Sequence, residues 1–353
     1  MGTRPQIIKS SLLISLASGD RELDFRVVHT GQHHDYAMSQ AFFDELGLPD
    51  PAVNLNAEGG SHAHQTATMI TRLEKVFLDD PPDIALVPGD TNSALAAALV
   101  AAKMNIPVAH IEAGARSHDM RMPEEVNRRL VDHCSSLLFT PTGGCTRNLV
   151  GEGIDEGRIH QVGDTMYDVL LRQLPRAEES GVLFRLGLAP KRYVLLTVHR
   201  AENTDNPDNL RSILDAAASL WPMPVVFPIH PRTRRALNTV KATRRSRLKV
   251  TTPVGYRDSL KLIREARLVM TDSGGVQKEA FWLGTPCVTL RETTEWPETV
   301  ESKMNYLVGA DLHKIVKTAQ EVLSSNIIPP QTNPFGDGKA SERILDIVKK
   351  ADL

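Results

Sequence analysis

The feature that most constrains the fold is a regular alternation of short, β-branched apolar runs with helix-length amphipathic stretches. The predicted strands are FRVVHT (25–30), DIALVPG (83–89), PVAHIEAG (107–114), LLFT (137–140), YVLLTVH (193–199), PVVFPIH (224–230), LKVT (248–251), LVMTDSG (268–274) and PCVTLR (286–291). Such alternation is typical of βαβ units, in which parallel strands are covered by helices on both faces. The sequence therefore predicts an α/β protein built from doubly wound sheets.

Two sets of these units suggest two domains, and 353 residues are enough for both. We assign residues 1–165 to the first domain and 166–337 to the second. The polar stretch LPRAEESG (174–181) is predicted to be a helical linker region. The amphipathic C-terminal helix, 338–353, is expected to pack back on the first domain.

Composition excludes several classes of function. The net charge of −2 gives no general attraction to nucleic acid or to anionic membranes. The longest apolar run, Ala94–Ala102, is far shorter than the roughly 20 residues that span a bilayer. Cys134, Cys145 and Cys287 lack paired spacing, which argues against a disulfide framework or a zinc site. With no signal peptide apparent at the start, we expect a cytoplasmic protein.

Five predicted strands end in polar or glycine-containing turns, where doubly wound sheets bind their ligands. The side chains at these ends are Asp90, Glu112, His199, His230 and Ser273. Any one of them is more often an ordinary loop residue. As a set divided between two domains, they predict a ligand site in the cleft between those domains.

The segment TDSGGVQKEA is the clearest local motif. Ser273, Gly274 and Gly275 come between a strand and a helix, so their backbone N–H groups can face a phosphate at the helix N-terminus. Glu279, further along the helix, could accept hydrogen bonds from ribose hydroxyls. A plain helix cap is an equally good explanation of the motif alone. The dinucleotide-binding glycine spacing is absent around 151–157, so a tightly bound NAD is not expected.

Charged side chains elsewhere suggest phosphate binding and proton transfer. Arg4 and Lys9 could both approach a diphosphate, although a solvated helix start explains them as well. Asp90, Glu112 and Glu124 are candidate acid–base groups. Glu112 is the most informative, because an acid inside an apolar strand loses hydration. Considered singly, each of the three acids is more often structural. Glu124, for example, follows a proline at a helix start, where the helix dipole alone explains a carboxylate.

The histidines allow a metal site as an alternative. His29, His33, His34 and Asp35 are close in sequence, but adjacent histidines on a loop seldom converge on one ion. We therefore expect no metal there. His199, beside Arg200 at a strand end, is better placed to contact an anion, and so is the segment HPRTRR (230–235) that begins with His230.

The ordered motifs resemble those of the non-hydrolysing UDP-N-acetylglucosamine 2-epimerases. The motifs that carry the resemblance are GTRPQ, HTGQH, PGDT, HIEAG, MPEEVNR, VGDT, HRAEN, TDSGGVQKEA, TTEWPE and NPFGDG. The resemblance implies the GT-B architecture, two Rossmann-like domains with the active site between them, and a homodimer. It implies elimination of UDP to a 2-acetamidoglucal and re-addition of UDP, without a cofactor, for surface polysaccharide precursors.

The resemblance also implies roles for individual residues. Asp90, Glu112 and Glu124 match the catalytic carboxylates, and His199 matches a histidine that contacts UDP and assists its departure. Arg128 is expected to orient the acids. The residues expected to bind UDP are Arg4, Lys9, His230, Ser273, Gly274, Gly275 and Glu279.

Three features depart from the family pattern. The family has a strand before GTRP, whereas this sequence starts at Met1-Gly2, so we expect an upstream start or a truncation. Gln6 stands where the family commonly has an acid. The motifs VGDTMYD, HRAEN and TEW resemble those of the branch that acts on UDP-2,3-diacetamido-2,3-dideoxyglucuronate. Pro297, after TEW, instead resembles the UDP-GlcNAc branch. Gln32-His33-His34-Asp35 lacks the second glutamine of a regulatory UDP-GlcNAc loop, which argues against that regulation.

Three other functions remain open from the sequence. A GT-B glycosyltransferase would share the fold, but it usually needs only one base. A hydrolysing epimerase would release free ManNAc and accumulate UDP. A non-catalytic nucleotide-sugar sensor would bind without turnover, and the intact carboxylates argue against it.

Overall fold

The computed structural model describes residues 1–32, 40–237, 240 and 247–351. The chain forms two compact units, Met1–Arg172 with Asn333–Leu353 (unit 1) and Gln173–Thr332 (unit 2). The division lies inside one continuous helix, Thr165–Glu178, whereas the sequence analysis placed it at the start of that helix. Because the helix is unbroken there, no turn residue marks the crossing.

All the strand pairings described are parallel. The strands are β1 (Val28–His29), β2 (Val53–Asn54), β3 (Ala85–Pro88), β4 (Val108–Ile111), β5 (Leu137–Thr140), β6 (Ile159–Gln161), β7 (Val194–Thr197), β8 (Val225–Pro228), β9 (Leu248–Thr251), β10 (Leu268–Thr271), β11 (Cys287–Thr289) and β12 (Asn305–Leu307).

Helices connect almost every successive pair of strands. They are α1 (Arg4–Ser18), α2 (Gln40–Leu46), α3 (His62–Asp79), α4 (Asn92–Lys103), α5 (Pro123–Cys134), α6 (Gly143–Gly151), α7 (Thr165–Glu178), α8 (Val182–Arg185), α9 (Ala201–Thr204), α10 (Pro207–Ser219), α11 (Pro231–Ala236), α12 (Tyr256–Glu265), α13 (Gly274–Trp282), α14 (Pro297–Glu301), α15 (Leu312–Ser324) and α16 (Ala340–Lys350). None of the helices in the described part of the chain has the length and apolarity needed to cross a bilayer.

Unit 1 has a four-stranded sheet in the order β3-β4-β5-β6 and a separate pair, β1-β2. Two apolar clusters include alternate residues of its central strands. Ala109 and Ile111 of β4 belong to the cluster that contains Leu13 of α1 and Ile344 of α16. Val108, also on β4, belongs to the other cluster, with α3 and α4. This alternation is what a strand covered on both faces requires.

Unit 2 has a six-stranded sheet in the order β9-β8-β7-β10-β11-β12. The chain winds outward from β7 to β9, returns to the centre, and winds the other way from β10 to β12. Strand order therefore reverses between β7 and β10, which pair in register from Leu268↔Val194 to Thr271↔Thr197. In open α/β sheets such a reversal marks the place where ligands bind, at the carboxyl ends of the strands.

The first residues of the chain pair with the β1 segment. The nitrogen of Met1 donates to the Val28 carbonyl at 2.8 Å, and its carbonyl accepts from the Thr30 N–H at 2.7 Å. The Gln6 side chain accepts from the Gly2 N–H and donates to the Pro88 carbonyl, each at 2.8 Å. Gln6 thus ties the start of the chain to the end of β3.

Sequence patterns predicted the longer strands better than the short ones. β5 and β9 have the predicted bounds, while the run 25–30 forms only the two-residue β1. β2, β6 and β12 were not predicted. Each has three residues or fewer and lies at an end of its sheet, where exposure on one side removes the apolar pattern that marks a buried strand.

Replacing Ile344 with alanine should destabilise the protein. Its side chain is fully buried among Leu13, Ala17 and Phe139, so truncation leaves a cavity in unit 1. We expect a loss of about 2–5 kcal/mol in the free energy of unfolding, measured by urea denaturation followed by circular dichroism. The matched control is Asp346→Ala, at an exposed position of the same helix. Equal midpoints for the two variants would contradict this packing.

Candidate active site

In unit 1, two of the candidate acids follow neighbouring strands. Pro88 at the end of β3 is paired with Ile111 at the end of β4, and the Gly89 N–H donates to the Ile111 carbonyl at 2.9 Å. The chain then continues into Asp90 on one strand and Glu112 on the other. Both carboxylates therefore emerge at the carboxyl edge of the sheet, where an α/β protein binds its ligand.

Glu112 forms an ion pair with Lys9. The Lys9 Nζ lies 2.7 Å from Glu112 Oε1, and both side chains are largely buried. The pair places a cation directly beside the Glu112 carboxylate in a largely buried position. Gly89 leaves room for this pair, because a Cβ at that position would lie 2.9 Å from the Lys9 Nζ.

The backbone of Glu112 is strained. Its φ is +71°, in the left-handed region that side chains other than glycine seldom adopt. Such a conformation costs on the order of 1–3 kcal/mol and persists only where the surroundings over-determine it. This conformation, at the turn after β4, marks Glu112 as a candidate functional residue.

Asp90 is held by an arginine of α5. Arg128 donates from Nε at 3.0 Å and from Nη2 at 2.6 Å to the same oxygen, Oδ2 of Asp90. Its third nitrogen, Nη1, donates to Glu125 at 3.1 Å. The Asn127 amide donates to the Asp90 carbonyl at 2.9 Å. Arg128 therefore contacts one candidate acid, Asp90, and also Glu125, which was not singled out from the sequence.

Glu124 and Arg4 both lie at the start of a helix. Glu124 is half-buried in the first turn of α5, after Pro123, while the next residue, Glu125, is fully buried. Arg4 starts α1, and its guanidinium lies 4.6 Å from the centre of the Phe42 ring. The two basic residues of α1 thus have separate contacts, Arg4 with an aromatic ring and Lys9 with Glu112.

The buried Glu125 is ionised. Burial opposes its ionisation, but the Ser117 N–H at 2.8 Å and the Arg128 guanidinium outweigh that effect and lower the pKa of Glu125. The residues Glu125, Arg128, Arg129 and Asp132 are spaced i, i+3, i+4 and i+7, so they share one face of α5. This charged stripe is the sequence signal that could have identified Glu125 and Asp132.

In unit 2, His199 and Asp272 meet where the strand order reverses. Asp272, directly after β10, is fully buried and accepts from the backbone N–H groups of His199 and Arg200 and from the Asn203 amide. The His199 Nδ1 lies 3.3 Å from Asp272 Oδ1. This contact fixes the orientation of the imidazole, whose other nitrogen is directed away from the carboxylate. Asp272 was not singled out from the sequence, although it stands inside the TDSGG motif.

The remaining unit 2 candidates lie on helix starts. The His230 ring is centred 5.4 Å from the His199 ring, and its Nδ1 accepts from the Arg232 N–H.

The Ser273 hydroxyl caps α13 by accepting from the Val276 N–H. Gly274 faces Trp296, since an added Cβ would lie 3.3 Å from the indole Nε1. Gly275 follows in the first turn of α13. Glu279, one turn further along that helix, is buried.

Of the four residues of the metal hypothesis, only His29 lies within the described part of the chain. His29 is buried against Phe43, with ring centres 6.0 Å apart, and its Nδ1 accepts from Gly31. His33, His34 and Asp35 lie outside the described residues. Within the described ranges, His, Cys, Asp and Glu side chains form no cluster that could hold a metal ion. Gln32, the first residue of the regulatory-loop comparison, accepts from the Ser93 hydroxyl at 2.8 Å.

A parallel sheet that reverses beside His199 and a second sheet whose strand ends carry acids are features of an α/β protein that binds its ligand at the strand ends. Residues 17–349 match the family model described as UDP-N-acetylglucosamine 2-epimerase, and the chain belongs to that family. The predicted fold class, α/β with two doubly wound sheets of the GT-B type, is confirmed, and so is an isomerase acting on UDP-sugars.

Individual relatives match over almost their whole length. A UDP-N-acetylglucosamine 2-epimerase of Methanocaldococcus jannaschii is 44% identical over 99% of this chain and 97% of its own. The UDP-2,3-diacetamido-2,3-dideoxy-D-glucuronate 2-epimerase of Pseudomonas aeruginosa is also 44% identical, over 99% and 98%. The crystal structure of the M. jannaschii enzyme with UDP-GlcNAc and UDP matches with a TM-score of 0.94 at 44% identity, covering 99% and 98%.

Breaking the Arg128–Glu125 pair should be costly, because it leaves a charge buried without its partner. We expect Arg128→Met to lower the free energy of unfolding by about 3–5 kcal/mol, measured by urea denaturation. The double variant with Glu125→Gln should lose less than the sum of the two single changes, by about 0.5–3 kcal/mol.

The matched control for this cycle is Arg147→Met, at an exposed position of α6, with an expected change within about 0.5 kcal/mol. Strict additivity of the two single changes would show that Arg128 and Glu125 do not stabilise one another.

Proposed function

We propose that this chain is a non-hydrolysing 2-epimerase that interconverts UDP-GlcNAc and UDP-ManNAc. The observation that carries the proposal is the 44% identity, over nearly the full length of both chains, to the M. jannaschii enzyme described with UDP-GlcNAc and UDP. In the proposed division of roles, unit 1 supplies the groups that move the C2 proton, and unit 2 binds the nucleotide.

Proton transfer at C2 is assigned to the carboxylates of unit 1. One carboxylate removes the C2 proton, the electrons of that bond form the C1–C2 double bond, and UDP leaves C1 with the electrons of the broken C1–O bond. UDP then returns to C1 while a carboxylic acid delivers a proton to the opposite face of C2. The candidates are Glu112, which pairs with Lys9, Asp90, which pairs with Arg128, and Glu124.

Departure of UDP requires positive or hydrogen-bonding surroundings for the diphosphate. We assign this role in unit 2 to His199, His230 and the N-terminus of α13, which Ser273 caps and where Gly274 and Gly275 form the first turn. Glu279 is assigned to the ribose. In unit 1, Arg4 and Lys9 are assigned to the diphosphate side of the substrate.

A second candidate substrate is the UDP-diacetamido sugar acid, because the P. aeruginosa relative is as similar to this chain as the archaeal one is. A side-by-side assay of the two UDP-sugars decides between them. We further propose a cytoplasmic homodimer that supplies precursors of surface polysaccharide. The family resemblance supports that proposal, and size-exclusion chromatography with light scattering tests the dimer.

The Glu112→Gln variant should bind UDP and fail to exchange the C2 hydrogen. The amide cannot take the proton, so we expect deuterium incorporation from D2O to fall at least about 100-fold. Proton NMR of the UDP-sugar measures incorporation, and titration calorimetry measures UDP affinity.

The control for this variant is Glu74→Gln, at an exposed position of α3, which should exchange at the wild-type rate. Normal exchange together with lost UDP affinity in Glu112→Gln would contradict the assigned role.

The His199→Ala variant should lose turnover without unfolding. The side chain is 37% exposed, so we expect a stability change within about 0.5 kcal/mol. Loss of the group that assists UDP departure should lower kcat by about 100-fold or more.

His313→Ala, at an exposed position of α15 in the same unit, is the matched control. An unfolded His199→Ala protein would instead indicate that this histidine is needed for packing.

A further inference from the structure

A fully buried carboxylate holds both sides of the turn that carries Glu112. Asp132, near the end of α5, has its Oδ1 2.6 Å from His110 Nδ1 and accepts through Oδ2 from the Gly114 N–H at 3.2 Å. His110 precedes Glu112 by two residues and Gly114 follows it by two. The two oxygens of one side chain therefore fasten the chain on either side of the strained residue.

His110 extends this contact to the neighbouring strand end. Its Nε2 lies 2.9 Å from the carbonyl of Gly89, the residue before Asp90. A carbonyl only accepts, so Nε2 carries a proton. The opposite nitrogen, Nδ1, faces Asp132. Burial alone would raise the pKa of Asp132, but the neighbouring His110 and Arg116 outweigh burial and lower it. The two ring nitrogens thus contact an oxygen on either side, and one buried ring links the Glu112 turn to the Asp90 turn.

The same carboxylate begins a chain of alternating charges that ends on Asp90. Asp132 pairs with Arg116 at 2.7 Å, and Arg116 pairs with Glu152 at 2.7 Å. The chain continues through Arg129, Glu125 and Arg128 to Asp90. Asp90 is thus held twice, at its side chain through Arg128 and next to its backbone through His110.

Burial makes this arrangement costly to maintain. His110, Asp132 and the Arg116 side chain are fully buried, and well-packed apolar residues in their place would often be as stable. A charged set retained under those conditions suggests a requirement for position. Glu112 supplies that requirement, because its left-handed conformation has to be imposed by its surroundings.

We propose that Asp132 and His110 are positioning residues, which hold the Glu112 and Asp90 turns in the one arrangement that allows proton transfer at C2. Neither residue is assigned a contact with the substrate. The inference rests on the proposed function, because its consequence is seen in the C2 exchange reaction.

Asp132→Asn is the first test, since it keeps the shape of the side chain and removes its charge. The amide offers one acceptor oxygen to three donors, so the Glu112 turn should relax. A displacement of about 1 Å at a reacting group can cost on the order of 100-fold in rate, so we expect kcat and C2 deuterium exchange to fall by about 10- to 100-fold together. KM and UDP affinity should stay within about threefold of wild type, because the assigned UDP-binding residues lie mainly in unit 2.

His110→Gln is the second variant, so that the test does not depend on one protein folding. Glutamine can donate to Gly89 or to Asp132 but cannot bridge them as the ring does. We expect the same loss of kcat with little change in KM.

The matched control is Asp168→Asn. Asp168 is also a buried aspartate of unit 1 that accepts two backbone N–H groups, those of Ala340 and Ser341 at the start of α16. It should lower the thermal midpoint and leave kcat per folded molecule unchanged. The folded fraction is measured by circular dichroism in every sample.

The outcomes separate the two proposals. Wild-type protein that exchanges no C2 hydrogen with either UDP-sugar overturns the proposed function. Wild-type exchange with Asp132→Asn and His110→Gln as active per folded molecule as Asp168→Asn overturns the positioning role. A loss confined to KM also overturns it, because misplaced acids should slow the chemical step.

Discussion

Neutralisation of the charged face of α5 is the constraint on which the candidate acids of unit 1 depend. Glu125, Arg128 and Asp132 are buried, and an unpaired charge there would be strongly destabilising. Arg128 pairs with Glu125 on the same helix and with Asp90 in the loop after β3. Asp132 contacts His110 of β4 and pairs with Arg116 in the loop after β4. The helix therefore fixes those loops as a condition of being buried, and Asp90 and Glu112 acquire defined positions from the same set of contacts.

Unit 2 also buries a charged side chain at its strand ends, and there backbone N–H groups take the place of ion pairs. Asp272 sits at the reversal of strand order and is satisfied chiefly by the N–H groups of His199 and Arg200. The loop after β7 and the loop after β10 are thereby joined across the point where two strands diverge. In both units a buried aspartate ties together adjacent strand ends, and a candidate side chain with greater exposure, Glu112 or His199, follows one of those strands.

The sequence predicted the parts of this structure that depend on local pattern. Alternating runs identified the parallel sheets, and polar strand ends identified Asp90, Glu112 and His199 as candidates, because both signals lie within a few residues. The buried partners could not be predicted in the same way. His110 and Asp272 stand inside motifs, but their contacts join residues 22 and about 70 positions away, and such pairs are defined only once the sheet is formed. The spacing of the charged residues on α5 is visible in the sequence. The same spacing is typical of a solvated helix face, so it does not show that the residues are buried.

The left-handed backbone of Glu112 explains why charged residues are buried around the turn after β4. A glycine at φ +71° would need no support, and the surrounding ion pairs could then be replaced by apolar packing. A glutamate at that position needs Lys9 to neutralise its charge and needs Asp132 and His110 to impose its backbone. The buried charges of unit 1 therefore accompany one carboxylate at the end of β4, and the proton transfer proposed for Glu112 explains why a glutamate stands where glycine would be accommodated more easily.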